Sequence, residues 1–224
     1  MTITNKIYQI TLLSFLFGLF SPVVVRAGEM TGGDYIIKMG TITIGGADKT
    51  GPAVRPSDTV GQTTEPFSLT VSTNVVDFGT VKPATFAGGS LDLTVNGAGV
   101  HGYSVSAIED HPLTAKPDII IPDTACDPSA KCTPTRASPW TSSVAYGFGY
   151  NLDGPDTDQT EFADATHFRP FANNAANQNP VVIMSRQGRG EKAAAKLTFR
   201  VNVPPSQTSG AYQNTIQFIA LPSF

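Results

Sequence analysis

Leu197-Thr198-Phe199-Arg200-Val201-Asn202-Val203 is the stretch that decides the fold. Leucine, phenylalanine and two valines take every second position, and threonine, arginine and asparagine fill the places between. A period of two sends alternate side chains to opposite faces of a strand, so one face is apolar and the other polar. Such a strand needs its apolar face covered by another layer. Pro204-Pro205 ends it, because proline carries no backbone donor. Ser209-Gly210 then turns the chain into Tyr212 to Leu221, where Ile216, Phe218 and Ala220 share a face. Gly190 to Ala195, just before, is the only helix-friendly stretch and reads as a lead into the strand.

The same alternation recurs upstream. Phe67, Leu69 and Val71 alternate with Ser68 and Thr70. Val76 and Phe78 lead to Val81, ending at Pro83. Leu91, Leu93 and Val95 alternate with polar residues up to the turn pair Asn96-Gly97. Tyr103, Val105 and Ala107 form another set, Val144, Tyr146, Phe148 and Tyr150 a further one, and Pro180 to Met184 a short apolar strand. Roughly seven or eight strands, each apolar on one side, are best satisfied by two sheets packed face to face. A closed barrel is the alternative, and uneven strand and loop lengths favour the sandwich. Composition agrees, with 21 glycines, 17 prolines and abundant β-branched residues. The expectation is an all-β chain, an antiparallel β-sandwich of the immunoglobulin-like kind.

Residues 1–27 have the layout of a secretory signal peptide. Lys6 precedes an apolar run from Ile7 to Phe20, Pro22 breaks it, and Val25-Arg26-Ala27 suits a signal peptidase. The run is shorter than the roughly 18 apolar residues of a spanning helix, which favours cleavage after Ala27 over an uncleaved anchor. Residues 28–66 read as an amino-terminal extension and flexible arm. Tyr35 to Ile44 offers one or two short strands broken at Gly40, and Gly45 to Thr64 is a linker interrupted by Pro52 and Pro56. The sandwich domain is expected over 67–224. The expected location is therefore extracytoplasmic, secreted or in the cell envelope, with the membrane touched only through the signal segment if it stays.

Net charge is −3, and loss of Lys6 and Arg26 with the signal segment leaves −5. An acidic chain without a basic stripe is a poor nucleic-acid partner. The two cysteines, Cys126 and Cys132, stand close together in an exported chain and read as a disulfide pinning a small loop.

Two irregular segments, Glu109 to Trp140 and Leu152 to Asn179, interrupt the strands, and long loops are often functional. Asp153, Asp156 and Asp158 cluster oxygen donors in the second and are weak calcium candidates. Trp140 and Tyr150 are weak candidates for stacking on a glycan or other ligand. His101, His111 and His167 lack the converging nucleophile and acid of a hydrolase. Asp110-His111 near several serines is the nearest approach, with no Gly-x-Ser-x-Gly elbow. No cofactor and no enzymatic activity are expected.

Two resemblances carry further implications. Phe78-Gly79-Thr80-Val81 near the start of the core domain, and Gly210-Ala211-Tyr212-Gln213-Asn214-Thr215-Ile216 near its end, resemble the spore coat U and fimbrial subunit group of bacterial β-sandwich surface domains. A second set comprises Pro122-Asp123-Thr124, Cys126, Cys132-Thr133, Trp140-Thr141, Tyr146-Gly147-Phe148-Gly149-Tyr150, Phe171-Ala172 and Phe218-Ile219-Ala220-Leu221-Pro222. It resembles a family of bacterial exported proteins with no assigned activity. The sequence thus leads to an exported, non-enzymatic surface protein working by adhesion or assembly. Pairing of Tyr35 to Ile44 with the sheet edge of another copy, or of another surface protein, is the expected mechanism. The same segment completing its own domain is the plain alternative. A secreted glycan- or ligand-binding module using the 109–140 and 152–179 loops is the second reading.

Overall fold

The computed structural model describes residues 35–45, 67–97, 101–116, 118–190 and 192–223. The expected signal segment and the linker residues 46–66 lie outside the described residues. Strands account for nearly all regular structure: β1 (Tyr35–Gly45), β2 (Ser68–Val71), β3 (Val76–Val81), β4 (Ala87–Asn96), β5 (Gly102–Glu109), β6 (Leu113–Lys116), β7 (Ile119–Ile121), β8 (Ser138–Pro139), β9 (Gly147–Asp153), β10 (His167–Phe168), β11 (Val181–Gln187), β12 (Ala193–Asn202) and β13 (Ala211–Ser223). A 3-10 turn at Asn174–Ala176 is the only helical element among the described residues.

One sheet runs β11-β5-β13-β1-β3, with the β6–β7 hairpin attached to β13, and a second runs β2-β4-β12-β9. Among the described residues all ladders are antiparallel except that between β1 and β13. The inward faces share a single core. Leu91, Leu93, Val95, Leu197, Phe199 and Val201 come from the second sheet, and Val105, Tyr212, Ile216 and Phe218 from the first. The rings of Phe148 and Phe199 stack at 6.1 Å, and Phe78 meets both edge-on. Burial of a large apolar side chain contributes roughly 1.5–3 kcal/mol, so this shared layer is what holds the sheets together.

Several local expectations differ from what is found. Ala193 to Ala195 is strand rather than helix-friendly lead, because Ala193 and Ala195 point into the core and pair with Val95 and Leu93. Val144 and Tyr146 precede β9 instead of belonging to it, and Val144 is exposed. The irregular segment after Glu109 contains the β6–β7 hairpin, which buries Leu113 opposite Ile121. Tyr35 to Gly45 is one strand, and the interruption expected at Gly40 is a shift in pairing register between Gly40 and Thr43.

Strand β9 is buried on both faces because the chain folds back over its outer side. Gly147, at φ +137°, lets the backbone of Thr124 lie against it; a Cβ there would come within 2.6 Å of Thr124 N and Cα. Gly79 also has a positive φ, +62°, but nothing stands within 4 Å of its missing Cβ. The two glycines therefore predict different costs. Gly147→Ala should lose about 3 kcal/mol or more, from backbone strain and collision together. Gly79→Ala should lose only about 1–2 kcal/mol, from strain alone. Urea unfolding of both variants measures the difference.

Candidate functional site

The gap between β3 and β13 is the most unusual feature of the larger sheet. Among the described residues β3 is its outermost strand, and its ladder there is made with β1. Neighbouring strands lie about 4.8 Å apart, so β3 and β13 stand one strand-width too far apart to pair directly. Beneath them lie Val76, Phe78 and Val81 from β3 and Ile216 and Phe218 from β13, all buried. β1 runs parallel to β13, with Ile36 beside Ala211 and Gly45 beside Ile219. It runs antiparallel to β3, with Tyr35 opposite Val81 and Met39 opposite Val76. The register with β3 shifts between Ile37 and Lys38, where Phe78 is skipped. That is a bulge of the kind a left-handed glycine permits, and Gly79 N donates to Asp77 Oδ1 at 2.8 Å to hold it.

Behind β13 lies a buried polar cluster. Glu109, at the end of β5, is fully buried, and its Oε2 accepts from Asn214 Nδ2 of β13 at 3.0 Å. Asp123 lies within hydrogen-bonding reach of Glu109, and Asn173 bonds the Asp123 carboxyl. Burial, then the neighbouring Asp123 charge, push the Glu109 carboxyl up to about 10. Burial likewise raises Asp123, against the bonds from its neighbours. Two long loops meet here. Glu109 N donates to Ala172 O at 2.9 Å, and Thr124 N and Phe148 N donate to Phe148 O and Pro122 O across the bridge between Asp123 and Phe148.

The sequence-derived candidates fall elsewhere. Cys126 and Cys132 are joined in a disulfide. They belong to a small second core with Trp140, Ala145, Phe168 and Phe86. Trp140 is wholly buried, donates Nε1 to Ala145 O at 2.9 Å, and meets Phe86 and Phe168 edge-on. Arg200 closes this core, its guanidinium 3.9 Å from the Phe168 ring centre and its Nη1 donating to Trp140 O. Tyr150 is also buried, stacked on Phe171 at 4.1 Å, and its hydroxyl accepts from Arg169 Nε at 2.7 Å. The expectation that Trp140 and Tyr150 present rings to a ligand is therefore corrected: both are spent on packing the loops against the sheet.

The aspartates diverge instead of converging on an ion. Asp153 is exposed at the end of β9, opposite Lys196. Asp156 is bound by Arg186 at 3.0 Å and by the Tyr103 hydroxyl. Asp158 accepts from Thr160 and Glu161, and the Thr160 hydroxyl above all holds its carboxyl below the usual range. Among the described residues no group of three His, Cys, Asp or Glu side chains is arranged for a metal. His111 Nδ1 lies 2.8 Å from Pro112 O, and the Asp110 carboxylate is occupied by Thr215 N and His111 N. His167 pairs with Asp164 at 2.9 Å.

The long loops are thus fastened covers, and the strand-wide gap between β3 and β13 is the candidate functional site. No sequence pattern pointed to the buried cluster, because Glu109, Asp123, Asn173 and Asn214 are far apart along the chain. Comparison with known protein-family models and with curated proteins finds no match.

The disulfide closes a short loop beside Trp140, the one tryptophan in the chain. Its reduction should lower the unfolding free energy by about 2 kcal/mol. Tryptophan emission followed through urea unfolding, with and without reductant, measures the shift directly.

Proposed function

We propose that this chain is an exported, non-enzymatic surface protein with an immunoglobulin-like sandwich, and that it assembles by strand exchange. In this reading the segment Tyr35–Gly45 of one copy completes the sheet of another. The observation that carries it is the position of β1 between β13 and β3, the only ladder partner of β3 in that sheet among the described residues. A sheet missing this strand exposes two rows of unpaired backbone groups and the apolar residues beneath them, which is what an incoming strand recognises. Residues 46–66 connect the segment to the rest. A connection of that length spans at most about 70 Å, ample reach for a neighbouring molecule. The disulfide supports an oxidising compartment, in keeping with the signal-like amino terminus.

The register supplies the test, since Gly40 lies beside Thr215 in the ladder. A Gly40→Cys, Thr215→Cys protein, purified from the envelope and oxidised, should give a ladder of covalent multimers on a non-reducing gel. A variant lacking residues 28–50 should lose self-association in light scattering. If the cysteine pair closes only within single chains and the full-length protein is monomeric, assembly by exchange is wrong and β1 simply completes its own sheet.

A further inference from the structure

We propose that Glu109 and Asp123 share a single proton, and that this proton latches the two long loops to β5 and β13, so that the fold strengthens as the medium becomes acidic. The proposal is independent of strand exchange. Glu109 Oε1 and Asp123 Oδ1 are both buried and both without another hydrogen-bond partner. Each carboxyl's remaining bonding is occupied, Glu109 Oε2 by Asn214 Nδ2 and the Asp123 carboxyl by Asn173. Two ionised carboxylates in contact and out of water repel strongly, and among the described residues no cation is found to offset either. One proton on Glu109 Oε1, donated to Asp123 Oδ1, satisfies both orphaned oxygens at once and removes one of the two buried charges.

The four residues come from four places in the chain. Glu109 ends β5, and Asn214 is on β13. Asp123 begins the disulfide-bearing loop, and Asn173 precedes the 3-10 turn of the other long loop. The bond between the carboxyls is therefore a cross-link between loops and sheet. The other charged group facing Glu109 is Asp110 on the adjoining turn, which carries His111 beside it. Asp110 is negative and reinforces retention of the proton.

The sign follows from linkage. The folded pair holds a proton that an unfolded glutamate releases above about pH 4.5, so stability is fullest below that pH. It falls as the pH rises, and is lost once the folded pair ionises. One proton corresponds to close to a tenfold rise in the unfolding equilibrium constant per pH unit. The aspartates held below their usual range, Asp127, Asp158 and Asp164, act only at lower pH. The buried phenols of Tyr103 and Tyr150 are raised and act only in strong alkali.

The test is urea unfolding of the signal-free protein from pH 5 to pH 9, with Glu109→Gln and Asp123→Asn alongside. The wild type should lose stability steadily across this range. Glu109→Gln, which keeps a donor without a titrating group, should flatten the slope and be the more stable protein at pH 9. Infrared spectra of the wild type at pH 8 should show the C=O stretch of a protonated carboxyl, absent from Glu109→Gln, a readout that needs no variant to survive unfolding. A wild type with no such band, or a slope unchanged in Glu109→Gln, overturns the proposal. So does a melting temperature lowered by EDTA and restored by calcium, because a cation would then stand in the proton's place.

Discussion

Two strands that belong to one sheet, β3 and β13, are separated by the width of one intervening strand, and the larger sheet is continuous only because β1 lies between them. This constraint organises much of the rest. β3 contributes Val76, Phe78 and Val81 to the common core, so its position affects packing in both sheets. Phe78 sits at the bulge facing β1 and meets Phe148 and Phe199 of the opposite sheet edge-on. Backbone pairing on one side of β3 and ring packing on the other are therefore coupled through one residue.

The edges at β9 and β11 are managed differently. β9 has its outer edge occupied by loop backbone, with Tyr150 and Arg169 exchanging both hydrogen bonds and Phe148 bridging Asp123. β11 has the Val182 carbonyl taken by Arg169 Nη2, while Ser185 N donates to Asp156 O. Covering an edge with a loop is one of the ways proteins prevent unwanted pairing. The two long loops accordingly spend their aromatic and charged residues on closure. Trp140, Phe168 and Arg200 build one cover, and Arg169, Tyr150 and Phe162 the other. Beside these two covered edges, β3 differs in being joined to its sheet through β1.

The strands with strict alternation were readable from sequence, because their burial follows the period of two. In β12 and β13 nearly every second residue is buried, as the pattern of Leu197 to Val203 and Tyr212 to Ala220 implies. Legibility failed where side chains carry no such signal. β4 begins at Ala87, and Gly88-Gly89 offer no alternation to read. The β6–β7 hairpin is short and buries little beyond Leu113 and Ile121. Trp140 and Tyr150, weak candidates for a ligand beside a default of packing, were ambiguous for a different reason. An aromatic beside or within a strand is compatible with packing or with display, and only the loops arriving from far along the chain decide. The Glu109 cluster is the extreme case, since its members are meaningless singly and acquire their chemistry by juxtaposition.

The quality of the pairing also separates β1 from its neighbours. β13 and β5 match eight consecutive residues, Ile216 with Glu109 through Ser223 with Gly102, without a shift. β1 shifts register against both its partners. Its ladder with β13 is also parallel, the slightly weaker arrangement per residue. Asn214, which grips Glu109 from β13, lies beside Met39 of β1 in that ladder. β13 is thus anchored by a regular ladder to β5 and by a buried polar bond behind it, independently of β1. β1 thus joins a neighbour that is already anchored, through pairing that is irregular on both of its sides.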